Sequence, residues 1–179
     1  GILTDRWKNV RLLALPMMQE PAPVAVKYRS IAGGMLVQDC DDRLPDLKSW
    51  QHVAGPTVDD GVKRDAAVLW LTVKHLTSNA VAIGGDRRLL GAGAGQMDRV
   101  NACRIAVEKA GERIGRVAGT PVAVSDAFFP FPDGLELLIK AGVKVIVHPG
   151  GSKRDQETID VCEAAGVTAL LTGVRHFRH

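Results

Sequence analysis

The sequence predicts an α/β protein in which a mostly parallel sheet carries helices on both faces. Three observations lead there. The last third alternates strand and helix, because Val122–Val124, Gly134–Ala141, Val143–Val147, Arg154–Ala165 and Ala169–Leu171 read as β-α-β-α-β. Such alternation packs helices on the faces of a largely parallel sheet. The middle third holds two longer segments with apolar residues every three or four positions, the spacing of one helix face. Finally, 179 residues that are 46% hydrophobic and 24% charged suffice for a single core without a disulfide or metal to hold it.

Taken in order, Val10–Leu15 reads as a short strand closed by Pro16, and Pro21 and Pro23 forbid regular structure up to Val24. Tyr28–Ile31 and Met35–Gln38 are apolar runs of strand length parted by Gly33 and Gly34. Asp39–Pro56 is polar and weakly ordered, a connection. Thr57 is placed to cap a helix reaching Val73, with Asp59 and Asp60 in the first turn, where the helix dipole favours acids. Its apolar stripe is Val62, Ala66, Leu69 and Val73. Asn79–Ile83, a turn at Gly84-Gly85-Asp86 and Leu89–Ala92 make a hairpin, and Met97–Ile114 is helical in pattern.

Composition narrows the function classes. Net charge is +3, from 23 Lys and Arg against 20 Asp and Glu, with both signs mixed along the chain, so no nucleic-acid footprint is expected. The densest basic group, Arg175-His176-Phe177-Arg178-His179, is a candidate anion site. Apolar stretches such as Ala66–Val73 fall short of the ~20 residues a membrane span needs, and Gly1–Val10 lacks the order of charges and apolar run found in a signal peptide. A cytoplasmic location without membrane contact is the default expectation. Cys40, Cys103 and Cys162 are widely spaced without a Cys-x-x-Cys, which points to reduced thiols and core filler.

In a sheet of this type the loops after the strand C-termini carry the chemistry. Here they are Ser125–Asp133, His148–Ser152 and Thr172 to the end of the chain. The first crowds Phe128, Phe129 and Phe131 between prolines, a stiff wall for a flat heteroaromatic ring, with Asp126 and Asp133 as polar anchors. Gly91, Gly93 and Gly95 sit between a strand and a helix, but not in the G-x-G-x-x-G order, and more readily permit close backbone approach than phosphate binding. Arg99 opens the following helix at the mouth of that loop. Lys74-His75 is an acid-base pair by residue type, although neighbours at a helix end diverge. In the terminal segment, extended geometry puts Arg175, Phe177 and His179 on one face and His176 and Arg178 on the other.

These residues also carry a resemblance. Ser78-Asn79-Ala80, Gly93-Ala94-Gly95-Gln96-Met97 with Arg99, Ser125-Asp126-Ala127-Phe128-Phe129-Pro130-Phe131, Pro149-Gly150-Gly151-Ser152 with Arg154-Asp155-Gln156, and the ending Arg175-His176-Phe177-Arg178-His179 resemble, in that order, the C-terminal half of the AICAR transformylase region of the bifunctional purine biosynthesis family. The match is dense over 28–179; residues 1–27 resemble a linker-like N-terminal segment. The resemblance implies a cytidine-deaminase-like fold without zinc, and the H-x-E and P-C-x-x-C signature of zinc deaminases is absent here. It implies formyl transfer from the co-substrate 10-formyltetrahydrofolate to AICAR in purine (IMP) biosynthesis. Asn79, Arg99, Phe128, Arg175 and His179 match AICAR-contacting positions; Pro130, Phe131 and Asp133 match positions near the folate pterin. Ser78 and Asp126 match the surroundings of a monovalent-cation site, for which potassium is the expected ion.

No catalytic residue is assigned, since the family's Lys-His pair belongs to the N-terminal half of the transformylase region and Lys74-His75 matches a different pair. The expected partners are AICAR, reduced folate, a second copy in a homodimer, and a separate chain bearing the other transformylase half and the cyclohydrolase domain. The rival expectation is a non-catalytic binding or scaffolding half-domain.

Overall fold

The computed structural model of the protein describes residues 5–7, 9–13 and 26–179, in two compact units, 1–42 and 43–179. In the first unit, β1 (Val26–Ile31) and β2 (Gly34–Asp39) pair as an antiparallel hairpin. Gly33, with φ of 77°, takes the left-handed conformation the turn needs. Tyr28 stands opposite Val37 and Ser30 opposite Met35; Tyr28, Met35 and Val37 are all exposed. The strand expected at Val10–Leu15 is not formed over 10–13, and Ala14, Leu15 and the proline-rich segment lie outside the described residues.

The second unit is a three-layer sandwich. Its strands are β3 (Gln51–Ala54), β4 (Val81–Gly85), β5 (Arg88–Gly93), β6 (Val122–Ser125), β7 (Val145–His148) and β8 (Thr168–Leu171). They form one sheet in the order β3-β8-β7-β6-β4-β5. β6, β7 and β8 are parallel neighbours, and β5 runs the same way, whereas β3 and β4 run against them. The sheet is thus mostly parallel in direction but mixed in pairing. The reason is local: a short hairpin can only reverse the chain, so β4-β5 enters antiparallel.

Side chains alternate between the two faces, as the pleat requires. Ala82, Val122, Val124, Val145, Val147 and Leu170 meet helix α1 (Asp60–His75), whose buried Ala66, Leu69, Trp70 and Val73 follow the three-four spacing of one stripe. Val81, Ile83, Ala123, Ile146 and Ala169 face α2 (Arg99–Ala110), α3 (Asp133–Lys140) and α4 (Asp155–Ala164). Helices on both faces are therefore observed.

Several boundaries differ from expectation for identifiable reasons. Asp59, not Thr57, caps α1, its carboxylate accepting the Val62 amide at 2.9 Å. The β4-β5 turn is Asp86-Arg87, both left-handed with φ of 53° and 55°, the geometry of a two-residue hairpin turn. Asp65 on α1 fixes it by accepting both turn amides at 2.7 and 2.9 Å. The helix expected to reach Ile114 stops at Ala110, where Gly111 has φ of 52°, and continues as a 3-10 turn over Gly111–Arg116. β3 falls within the stretch read as a connection. It pairs along the edge of β8, a long-range contact with no local signature.

The glycines of β5 have a packing role. A Cβ at Gly93 would lie 2.1 Å from the Ala102 carbonyl oxygen, and one at Gly91 2.4 Å from the Ala110 amide nitrogen. Their absence lets α2 lie directly against the strand. The close approach expected of this run is to a helix, and Gly91 and Gly93 are inside the strand, so they cradle no phosphate.

Candidate functional site

The strand directions gather the polar loops at one end of the sheet. The C-termini of β5, β6, β7 and β8 and the N-terminus of β4 share that end, together with the end of α1 and the start of α2 that connect to them. Between these loops lies a cavity of about 620 Å³ lined by Asn79, Met97, Asp98, Arg99, Val100, Ala127, Phe128, Pro130, Phe131, Asp133 and Phe177. It thus brings together Asn79, Arg99 and Phe128 with Pro130, Phe131 and Asp133, from segments up to almost a third of the sequence apart.

A buried polar cluster forms its base. Arg99, in the first turn of α2, donates through Nη1 to the Asp126 carboxylate and to the Ala80 carbonyl at 3.1 Å, and through Nη2 to Asn79 Oδ1 at 2.8 Å. Asp126 Oδ2 accepts the Ser78 hydroxyl at 2.7 Å. Asn79 donates through Nδ2 and its backbone amide to the Gln96 carbonyl, which ties the β4 entrance to the loop before α2. Asp126 is 1% and Arg99 7% exposed, so the pair has left water and is held by geometry and added hydrogen bonds. Arg99 Nε is buried without a partner.

This cluster corrects one expectation. Asp126 offers no anchor for a ligand ring, because it is 1% exposed and does not line the cavity. Among the described residues, no group of three or more His, Cys, Asp or Glu side chains could hold a metal.

The phenylalanine segment divides by position. Phe128 and Phe131 face the cavity, while Phe129 is fully buried against the edge of the His148 ring, 5.4 Å between centroids. His148 is itself buried at the end of β7, accepts the Gly150 amide through Nδ1 at 3.1 Å, and is pushed down by burial from 6.5 to about 4. It is a neutral structural imidazole at ordinary pH. Burial pushes the Cys103 thiol up to about 12 and Cys162 to about 11, so both stay protonated core filler.

The terminal segment completes one wall. The Ser78 amide donates to the Arg178 carbonyl at 2.8 Å, the Arg178 amide to Ser78 Oγ at 3.2 Å, and the His176 amide to the Asp126 carbonyl at 2.8 Å. His176 turns inward, edge-on to Trp70 at 4.1 Å. Phe177 turns outward into the cavity wall, with the Arg175 guanidinium 5.1 Å from its ring and His179 5.9 Å away. Arg175 and His179 therefore flank the lining without belonging to it. Met97, Asp98, Val100, Ala127 and Phe177 line the cavity without standing among the expected site residues, although the alternation of the tail already groups Phe177 with Arg175 and His179. Lys74 donates to the Arg43 carbonyl at 2.6 Å and His75 is exposed; neither lines the cavity.

The aromatic-walled cavity lies over the ends of the strands, the position at which open α/β sheets carry their ligand crevices. The sequence matches the family model described as AICARFT/IMPCHase bienzyme over residues 1–109, and the chain belongs to that family. It is 44% identical over its whole length to the bifunctional purine biosynthesis protein PurH of Rhodopirellula baltica and 42% identical to PurH of Streptococcus gordonii. It spans about a third of the length of these relatives, 34% in both cases. Among solved structures it is similar to Acinetobacter baumannii RibD, with a TM-score of 0.42 and 22% identity over 70% of this chain and 36% of that one.

Proposed function

We propose that this chain is the C-terminal half of an AICAR transformylase region and that its cavity receives AICAR beside a reduced folate. The reaction is formyl transfer: the bond from the folate N10 to the formyl carbon breaks, the AICAR 5-amino nitrogen bonds to that carbon, and the amine proton is lost as N10 regains one. What supports the reading is a single observation, the convergence of Asn79, Arg99 and Phe128 with Pro130, Phe131 and Asp133 on one cavity. On this reading Phe128 stacks on the imidazole and Pro130 and Phe131 border the pterin. Arg175 and His179 receive the sugar-phosphate at the rim. Arg99 acts by holding Asn79 in place through Nη2, while Nη1 is spent on Asp126 and the Ala80 carbonyl. The same reading makes the layers a zinc-free cytidine-deaminase-like fold in a cytoplasmic protein. It makes residues 1–27 a linker, with the acid-base pair supplied by a second copy or a further segment of polypeptide.

Isothermal titration with AICAR, then with a folate analogue, tests it beside a formyl-transfer assay. AICAR binds, and Phe128→Ala weakens binding about tenfold, the scale of a lost aromatic stack with its burial. Unchanged affinity in that variant overturns the reading. A second reading, ligand binding without turnover, is favoured by one observation: among the described residues the lining holds no lysine or histidine. Steady turnover by the chain alone would remove it.

A further inference from the structure

We infer that Arg154 forms a subsite, beside the Phe131 wall, for a carboxylate-bearing tail on the ligand that occupies the cavity. The inference rests on the reading above and specifies the half of the site that faces solvent. Phe131 lines the cavity and is half exposed. The Arg154 guanidinium lies 4.7 Å from the ring centroid, so a ligand leaving the cavity past Phe131 next meets a cation. That cation is held in a fixed orientation. Its Nε donates to Glu157 Oε1 at 2.7 Å and its Nη2 to Oε2 at 2.6 Å, a side-on pairing that leaves Nη1 unallocated.

The loop beneath is equally defined. Gly150 and Gly151 are left-handed, with φ of 71° and 94°, and Asp155 accepts the Gly151 and Ser152 amides at 2.6 and 3.2 Å. Asp155 is thereby turned onto the loop amides while Arg154 pairs with Glu157, and Lys153 is a second exposed cation next to Arg154 in the chain. Glu157 balances part of the charge of Arg154, which makes it the tuning residue. A planar guanidinium stacked on an aromatic ring with a free N–H edge suits a carboxylate, which can accept two such bonds. In a reduced folate the group that extends beyond the ring system and carries carboxylates is the glutamate tail.

The test titrates the 179-residue chain with three probes: a 10-formylfolate analogue bearing one glutamate, its triglutamate, and the same ring system ending in a neutral benzamide. Arg154→Gln is expected to weaken the monoglutamate about two- to fivefold, the range of an exposed ion pair, to weaken the triglutamate more, and to leave the benzamide unchanged. Glu157→Gln is expected to tighten the glutamated probes alone, and both effects are expected to shrink as salt is raised. An equal loss for all three probes in Arg154→Gln means that Arg154 acts only by supporting Phe131, and overturns this inference alone. No change for any probe in that variant also overturns it alone. Failure of the unmodified chain to bind any of the three overturns the functional reading and this inference with it.

Discussion

Asp126 gives one carboxylate oxygen to Arg99 and the other to Ser78, and through them it fixes three segments that meet at the cavity base. Truncating it leaves a buried guanidinium without its counter-charge. Asp126→Ala is therefore expected to cost about 3–5 kcal/mol, read as a lowered midpoint in urea denaturation. A change within ±0.5 kcal/mol would show that water reaches Arg99. His148 makes a pH prediction. Its folded-state value of about 4 lies below the ordinary 6.5 because of burial, so between those values the unfolded chain binds more protons than the folded one. Stability is then unaffected by this group above pH 6.5 and falls as pH drops toward 4, by roughly 3 kcal/mol in full. His148→Gln is expected to flatten that part of the stability profile, measured by denaturation at closely spaced pH values. Neither role is legible in the residues singly. Asp126 and His148 stand out in the sequence as chemical groups, and only their burial turns the first into a brace and the second into a neutral filler.

At the scale of elements, the pairing of α2 with β5 carries the sharpest expectation. A Cβ at Gly93 or Gly91 meets helix backbone, which cannot rotate away as a side chain could. Gly93→Ala is expected to lose about 1–3 kcal/mol or more from overpacking. Gly115→Ala, where nothing lies within 4 Å, is the control expected to change little, and thermal melts of the two variants separate packing from a general effect of losing glycine. The glycine run signals close approach in the sequence but not its partner, since a strand and a helix offer backbone equally well. The sequence pattern marks helices and strands closely over 122–171, where short apolar runs are punctuated by helices of clear periodicity. It marks them less closely where an end depends on one capping residue, as at Asp59, or on an edge pairing far away in sequence, as at β3.

For the whole molecule, protection should follow the layers. The inner strands β6 and β7, with buried residues throughout, are expected to exchange their amides slowest. The β1-β2 hairpin, almost entirely exposed, should exchange fastest, because a two-stranded ribbon is marginal in water. Hydrogen exchange followed by mass spectrometry checks this, and equal protection of the hairpin would show that its apolar face is covered in solution. Among the described residues, no helix is long and apolar enough to cross a membrane. The sequence by itself determined the α/β class, the loops that hold the cavity and most of its lining, because periodicity, proline and glycine positions and aromatic crowding act through local geometry. The tertiary structure alone decided that Arg99 and Asp126 answer each other, that Phe129 and His148 leave the site for the core, and that Phe177 closes its wall. Those outcomes depend on which charges and rings meet after segments far apart in sequence are brought to one end of the sheet.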